Sequence, residues 1–221
     1  MIKNMVRLPT IVALLAVAPL TSACSSLSGT QRGAVIGAGA GGAVGAAIGR
    51  ATGSTAKGAI IGAAIGGTAG AVIGNQMDKQ KGELEDDLDN AQVERVGEGL
   101  LITFDSGLLF DYDSDAIKGA SRANLTDLAA SLRKYPGTEV LIVGHTDAQG
   151  SDEYNYGLSQ RRAASAKSFL VSQGVPSNRI RTEGRGETEP VSASDAQNRR
   201  VEVAIFADEA TRSALQRQYG N

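Results

Sequence analysis

The C-terminal half of the sequence predicts an α/β (α+β) domain, a mixed β-sheet with helices on one face in the order βαβαββ. Apolar runs typical of strands alternate with stretches typical of helices over residues 99–206. The last apolar run, 200–206, has no helix pattern between it and the run before it, which favours a mixed sheet. Before this domain, glycine recurs at every fourth position and predicts a helical hairpin.

The elements of this domain follow from hydrophobic pattern and from helix start and stop signals. The strand predictions are 100–104, 139–145, 179–186 and 200–206. A first helix fits 115–134, with Ser114 as its cap and Pro136-Gly137 as its stop. A second helix is expected from about residue 160, with Ser159 as its cap. Residues 207–221 form a polar tail that can hold a short helix.

Charge and composition exclude several functions. Residues 99–206 contain 12 Lys and Arg against 14 Asp and Glu, so the domain lacks the basic surface that binds nucleic acid. His145 is the only histidine, which leaves little support for a metal site or a Ser-His-Asp triad. We therefore expect a protein that is not an enzyme and that has no catalytic residues, metal or cofactor.

The N-terminus has the organisation of a secretory signal peptide, assigned to residues 1–23. Lys3 and Arg7 precede an apolar run at 8–20, and small residues lead directly into Cys24. This junction resembles a bacterial lipobox, which implies cleavage before Cys24 and its acylation, with residues 24–32 as a lipidated tether. Two acyl chains anchor a protein stably. The alternative is an ordinary signal peptide that happens to end near a cysteine.

Residues 33–74 contain an internal duplication of glycine ladders. Glycines with a period of four occur in two sets, at 33, 37, 41, 45 and 49 and again at 58, 62, 66, 70 and 74. Such ladders allow close helix packing, although each Gly costs about 0.8–1 kcal/mol relative to Ala. We expect a glycine-zipper hairpin turning at 50–57 that is membrane-associated or forms homo-oligomers. The alternative is a flexible linker.

The segment 75–98 is acidic, with 8 Asp and Glu against three basic residues. Leu84, Leu88 and Ala91 have helical spacing within it. We expect a solvated helix or spacer that acts as a linker.

The segment 144–170 contains the residues best suited to bind a ligand. Asp147 follows a buried strand, at the sheet edge where α/β domains commonly bind ligands. Arg162 is expected in the first turn of the following helix, close to that strand end. A carboxylate and a guanidinium aimed at the same space suit a zwitterion. The alternative is a structural salt bridge between the two side chains.

Several motifs together resemble the OmpA C-terminal-like (OmpA/Pal/MotB) peptidoglycan-associating domain and cover most of 99–206. They are Phe110-Asp111, Gly144-His145-Thr146-Asp147, Asn155-Tyr156-Gly157-Leu158-Ser159 with Arg162-Ala163, Gly184-Arg185-Gly186-Glu187 with Pro190, and Asn198-Arg199-Arg200-Val201. The resemblance implies that Asp147 and Arg162 hold the ammonium and carboxylate of diaminopimelate in a stem peptide. It also implies that Asp111 and Asn155 line the groove and that Arg200 braces it or reaches the ligand.

One departure from the family concerns the loop before Asn198. Only seven residues, 191–197, separate Pro190 from Asn198, whereas family members have a longer loop. The groove wall is therefore expected to differ here.

The order of lipobox, glycine zipper and this domain resembles OmpA-family outer-membrane lipoproteins. The resemblance implies a protein anchored in the cell outer membrane whose C-terminal domain binds peptidoglycan in the periplasm. One alternative is a self-associating zipper protein with an envelope-assembly or pore-like role. A cell-wall hydrolase is the weakest hypothesis, because no nucleophile–base pair stands out.

Overall fold

One five-stranded mixed sheet forms the centre of the computed structural model, which describes residue 49 and residues 51–219. Its strands in chain order are β1 (Ala91–Val96), β2 (Gly99–Asp105), β3 (Thr138–His145), β4 (Ile180–Gly186) and β5 (Arg200–Ala207). Their spatial order is β1-β2-β5-β3-β4. Strands β3 and β4 are parallel, and the other neighbours are antiparallel, so the predicted mixed sheet is confirmed.

Seven helices accompany these strands in the described part of the chain. They are α1 (Thr55–Gly62), α2 (Gly67–Asp87), α3 (Ser106–Leu109), α4 (Arg122–Lys134), α5 (Asp152–Ser172), α6 (Asp195–Asn198) and α7 (Glu209–Tyr219). Short 3-10 turns at Gly119–Ser121 and Ser177–Arg179 precede α4 and β4. The order from β2 to β5 is the predicted βαβαββ.

The main core lies between one face of the sheet and helices α2, α4 and α5. Alternate residues of the three central strands point into it, since successive side chains of a strand face opposite sides. The core residues of those strands are Leu100, Ile102, Phe104, Val140, Ile142, Val201, Val203 and Ile205. The prediction that helices cover one face is confirmed for α4 and α5.

The opposite face, called the back face below, is covered by α1. Ala56 and Ile60 of α1 are buried against Leu101, Leu141 and Phe206 of the sheet. The sequence analysis did not anticipate this layer. Its physical origin is that β2, β3 and β5 carry apolar side chains at both alternating positions, so both faces exclude water.

Residues 75–98 are part of the domain and do not form a linker, which corrects the sequence-based boundary at residue 99. Helix α2 extends to Asp87 and buries Met77 and Leu84 in the main core. The following strand β1 pairs with β2 from Ala91↔Phe104 to Val96↔Gly99. As an edge strand with half-exposed residues, β1 has the polar composition that edge strands commonly show.

The second glycine ladder is divided between two helices. Gly66 and Gly67, with φ of 70° and 63°, separate α1 from α2, a conformation that favours glycine. Over the described residues, no helix has the length and apolar content needed to cross a membrane. The first ladder except Gly49, the signal peptide 1–23, Cys24 and the tether 24–32 lie outside the described residues, as do 220 and 221.

Two predicted helix starts are wrong, although the first helix ends next to its predicted stop at Pro136-Gly137. Helix α5 begins at Asp152 because the Ser151 side chain accepts a hydrogen bond from the Tyr154 amide. The carboxylates of Asp152 and Glu153 in the first turn then interact favourably with the positive end of the helix dipole. Helix α4 begins only at Arg122, since residues 111–118 form a loop closed by the bridge between Phe110 and Ile117.

Candidate functional site

The candidate groove lies at the end of β3, where Asp147 leaves the sheet. The Thr146 amide donates to the Gly186 carbonyl at 2.9 Å, which ties this exit to the end of the parallel strand β4. Asp147 Oδ1 accepts from the Gln149 amide at 3.1 Å, so the carboxylate is oriented by its own loop. The side chain is mostly buried, yet it lies next to the exposed loop 148–151.

Arg199 neutralises Asp147. Its Nη1 donates to Asp147 Oδ2 at 2.6 Å, and this hydrogen bond raises the pKa of Arg199. Asn198 positions the arginine, because its side chain bonds the amides of Val191 and Ser192 and so closes the shortened 191–197 loop. Sequence reasoning missed Arg199. The signal that could have found it is the alternation of β5, which places Arg200 on the same face as Glu202 and so leaves Arg199 as the arginine for the other side.

Asn155 holds the groove from α5. Its Nδ2 donates to the Asp147 carbonyl at 3.2 Å and to Glu187 Oε2 at 2.7 Å. The predicted residue Asn155 therefore lies beside Asp147, and Glu187 joins them from the turn that follows β4. Sequence reasoning quoted Glu187 as part of the motif but gave it no role.

Arg162 lies in the middle of α5, three turns from its start, and is only 5% exposed. Its guanidinium stacks over the Phe110 ring at 5.4 Å, and its Nε donates to the Ser114 carbonyl at 2.9 Å. Neither terminal nitrogen of Arg162 has a recorded hydrogen bond to a described residue. Arg162 thus keeps donors available for a ligand.

The electrostatic surroundings of Arg162 include Asp147. Burial lowers the pKa of Arg162, while the charges of Asp113, Asp115 and Asp147 oppose this and Arg199 adds to it. The structure records no direct ion pair between Asp147 and Arg162. The expected position of Arg162 in the first helical turn is wrong because α5 begins at Asp152, so the helix dipole adds little at this site.

Two further predicted groove residues have protein partners of their own. The Asp111 side chain is 78% exposed and pairs with Lys118 at 3.4 Å. Arg200 points to the back face, where its Nε donates to Glu202 Oε1 at 2.8 Å. The reason is strand alternation, since Arg200 precedes the core residue Val201 and must face the other way.

Small residues bring α5 close to the sheet. A Cβ on Gly144 would lie 2.2 Å from the Ser159 carbonyl oxygen, and one on Gly184 would lie 2.5 Å from Ser159 Oγ. Ser159 is fully buried in mid-helix, and its hydroxyl accepts from the Gly186 amide at 2.9 Å. The predicted capping role of Ser159 is therefore wrong, and this residue instead joins α5 to the end of β4.

The fold and the site define an α/β domain with a charged site beyond the carboxyl end of β3, one of its two parallel strands. Residues 109–203 match the model of the OmpA family, and residues 1–78 match the model of the YMGG-like Gly-zipper. The chain therefore carries an OmpA-family domain preceded by a YMGG-like Gly-zipper segment.

Relatives of known name share this domain. The probable lipoprotein YiaD of Escherichia coli is 38% identical over 136 residues, which are 58% of this chain and 62% of that protein. The peptidoglycan-associated lipoprotein of Brucella melitensis is 44% identical over 103 residues, which are 44% of this chain and 61% of the relative. The chain thus spans about three fifths of the length of these relatives.

Solved structures with the same fold include a cell wall anchor and a putative MotB-like protein. The cell wall anchor of the T6SS from Pseudomonas aeruginosa matches with a TM-score of 0.52 and 30% identity, over 60% of this chain and 97% of that one. A putative MotB-like protein from Desulfovibrio vulgaris has a TM-score of 0.52 at 20% identity and covers 63% of this chain and 92% of its own. The latter likeness concerns the fold alone.

Proposed function

We propose that this protein binds peptidoglycan non-covalently through the Asp147–Arg162 groove and that it recognises diaminopimelate in the stem peptide. The observation that carries the proposal is the buried Arg162, whose terminal nitrogens have no protein partner among the described residues while Asp147 lies in its electrostatic surroundings. A guanidinium of this kind binds a carboxylate in bidentate fashion. An OmpA-family domain and relatives named for association with peptidoglycan support the same ligand.

Asp147 is the acceptor for the ligand's ammonium group in this proposal. Without ligand, Arg199 balances its charge, so the buried carboxylate is not left unpaired. Asn155, whose side chain is oriented by Glu187, holds the backbone at Asp147 and thereby positions its carboxylate. A stem peptide with lysine lacks the second carboxylate that Arg162 requires. Binding of such a peptide would leave the buried guanidinium of Arg162 unpaired, so the groove selects diaminopimelate over lysine.

The protein's place in the cell follows from the same proposal. Acylation of Cys24 anchors it in the outer membrane, and the OmpA-family domain reaches the cell wall from the periplasmic side. The names of relatives, a probable lipoprotein and a peptidoglycan-associated lipoprotein, support this arrangement. The role is structural anchoring, and no covalent step is part of it.

The test is co-sedimentation of the purified protein with sacculi that contain diaminopimelate. Arg162→Ala and Asp147→Ala are expected to weaken binding at least tenfold, because a lost hydrogen bond to a charged group costs about 1.5–3 kcal/mol. Arg161→Ala is the matched control, since Arg161 is the neighbouring helical residue and pairs at the surface with Asp115. Circular dichroism verifies that the variants remain folded.

Two outcomes contradict the proposed site. Folded Arg162→Ala and Asp147→Ala proteins that pellet like the unaltered protein would exclude these residues as the binding pair. Equal binding to sacculi with lysine stem peptides would exclude recognition of the second carboxylate.

A further inference from the structure

The first turn of α1 is held on the back face by two carboxylates of the OmpA-family domain. The Ser54 hydroxyl donates to Glu202 Oε2 at 3.0 Å. The Thr55 amide donates to Glu189 Oε2 at 3.1 Å, and the Thr55 hydroxyl donates to the other oxygen of the same carboxylate. Carboxylates at a helix start satisfy its free amides and favour its dipole. Residues 54–63, called the strap below, thus dock by hydrogen bonds to these carboxylates as well as by apolar contact.

The apolar contact of the strap centres on Ile60. Ile60 is buried against the sheet, and a Cβ on Gly99 would lie 2.6 Å from Ile60 Cγ2, so glycine at 99 permits this approach. An isolated helix of eight residues is unstable in water. The strap is therefore helical because it packs against the back face.

Several buried polar atoms beneath the strap lack a hydrogen bond. Both ring nitrogens of His145 are buried without a hydrogen bond, and the same holds for Arg200 Nη2 and Arg185 Nε. His145 Nε2 lies 3.6 Å from Glu202 Oε2, beyond a normal hydrogen bond. Buried polar groups without partners cost free energy that water would relieve. This cost opposes docking and lowers the free energy that holds the strap in place.

A single turn connects the strap to the groove. Glu187 and Glu189 are two residues apart in the turn after β4, which is closed by a 3.1 Å hydrogen bond from the Thr188 amide to the Arg185 carbonyl. Glu187 accepts from Asn155 in the groove, while Glu189 accepts from Thr55 in the strap. The two carboxylates thus tie one short turn to both sides of the sheet.

We propose that docking of the strap holds the 186–189 turn in the conformation that orients Asn155 and Asp147, so that the glycine-zipper segment controls the affinity of the groove. This inference rests on the proposed function of the groove. When the zipper segment engages other partners and the strap leaves the back face, the turn loses its Glu189 anchor and the groove loosens. Coupling between two sites is reciprocal, so ligand in the groove also favours the docked strap.

The decisive experiment compares Ile60→Asp with the control Val72→Asp in the full chain, by amide hydrogen exchange without ligand. Docking would bury the carboxylate introduced at position 60 and is therefore disfavoured, whereas Val72 is 37% exposed on α2. In Ile60→Asp we expect faster exchange across 54–63 and at least tenfold faster exchange at Gly186 and Thr188, whose amides are bonded to Ser159 and Arg185. Val72→Asp is expected to leave both regions unchanged.

A milder variant and a ligand measurement complete the test. Thr55→Val removes one hydrogen bond to Glu189 but keeps the apolar contacts, and it is expected to change exchange at Thr188 in the same direction by a smaller factor. The affinity for a stem peptide containing diaminopimelate is expected to fall about 5- to 20-fold in Ile60→Asp, within the usual range of coupling between sites.

The outcomes separate this inference from the proposed function. Rapid exchange of 54–63 with full protection at Gly186 and Thr188 would overturn the coupling, whatever the ligand does. If the unaltered protein does not bind the stem peptide, the proposed function fails, and the exchange data still decide whether the strap controls the turn.

Discussion

Glu202 shows how single residues determine the stability of the domain. The residue is 3% exposed, yet its carboxylate accepts hydrogen bonds from Arg200 Nε and the Ser54 hydroxyl. Burial on its own raises the pKa of Glu202, but the adjacent His145 and Arg200 offset this effect and lower the pKa from 4.5 to about 2. The carboxylate is therefore ionised in the folded protein and stabilises it through these partners.

This shift predicts how stability depends on pH. Because the folded-state pKa is below that of the unfolded chain, the stabilisation is present above pH 4.5 and is lost as pH falls toward 2. Glu202→Gln is expected to lower the free energy of unfolding by about 3 kcal/mol at pH 7 and by less at pH 3. Urea unfolding at both pH values measures the difference, with the exposed Glu85→Gln as control. A pH-independent difference would contradict this assignment.

Among the elements, α5 has the largest influence on the groove. Because α5 begins at Asp152, Asn155 lies in its first turn, where its side chain bonds the Asp147 carbonyl, and Arg162 lies in mid-helix. The start depends on Ser151, whose hydroxyl accepts from the Tyr154 amide. Gly157 lies inside α5, but one glycine costs a helix only about 1 kcal/mol, and packing on β3 and β4 outweighs that cost.

Removal of this cap tests the element. Ser151→Ala is expected to lower the free energy of unfolding by about 1 kcal/mol, since the Tyr154 amide loses its partner. Chemical denaturation measures the change, and Ser168→Ala on the exposed side of the same helix is expected to change stability by less than about 0.5 kcal/mol. Equal effects of the two substitutions would show that α5 does not depend on this cap.

For the molecule as a whole, α2 and β1 belong to the cooperative unit. Ile73, Met77 and Leu84 of α2 are buried in the main core, and β1 covers the edge of β2. Burial of three such side chains contributes about 5–9 kcal/mol as an upper estimate, comparable with the total stability of a domain.

Truncation tests this boundary. A fragment of residues 99–221 is expected to unfold at a much lower urea concentration than a fragment of residues 54–221, or to aggregate through the exposed edge of β2. Urea denaturation followed by circular dichroism compares the two. The same midpoint for both fragments would show that residues 54–98 are dispensable for stability.

Local patterns in the sequence were sufficient for the order of strands and helices from β2 to β5 and for the position of Asp147 at a strand end. Alternating apolar residues and Pro or Gly stops encode these features within short segments. The resemblance to the OmpA family also placed Asn155 beside Asp147. The polar composition of 75–98 concealed β1, because an edge strand has few residues to bury.

Contacts between distant segments determined which arginine meets Asp147 and where the second glycine ladder lies. Asn198 closes the 191–197 loop and brings Arg199 to Asp147, whereas the pleat of β5 sends Arg200 to Glu202. A glycine ladder permits close packing against any partner, and the apolar back face of the sheet, which forms only when the strands assemble, supplies the partner for α1. The contacts of Arg199 with Asp147 and of α1 with the sheet join segments far apart in the chain, which no local pattern specifies.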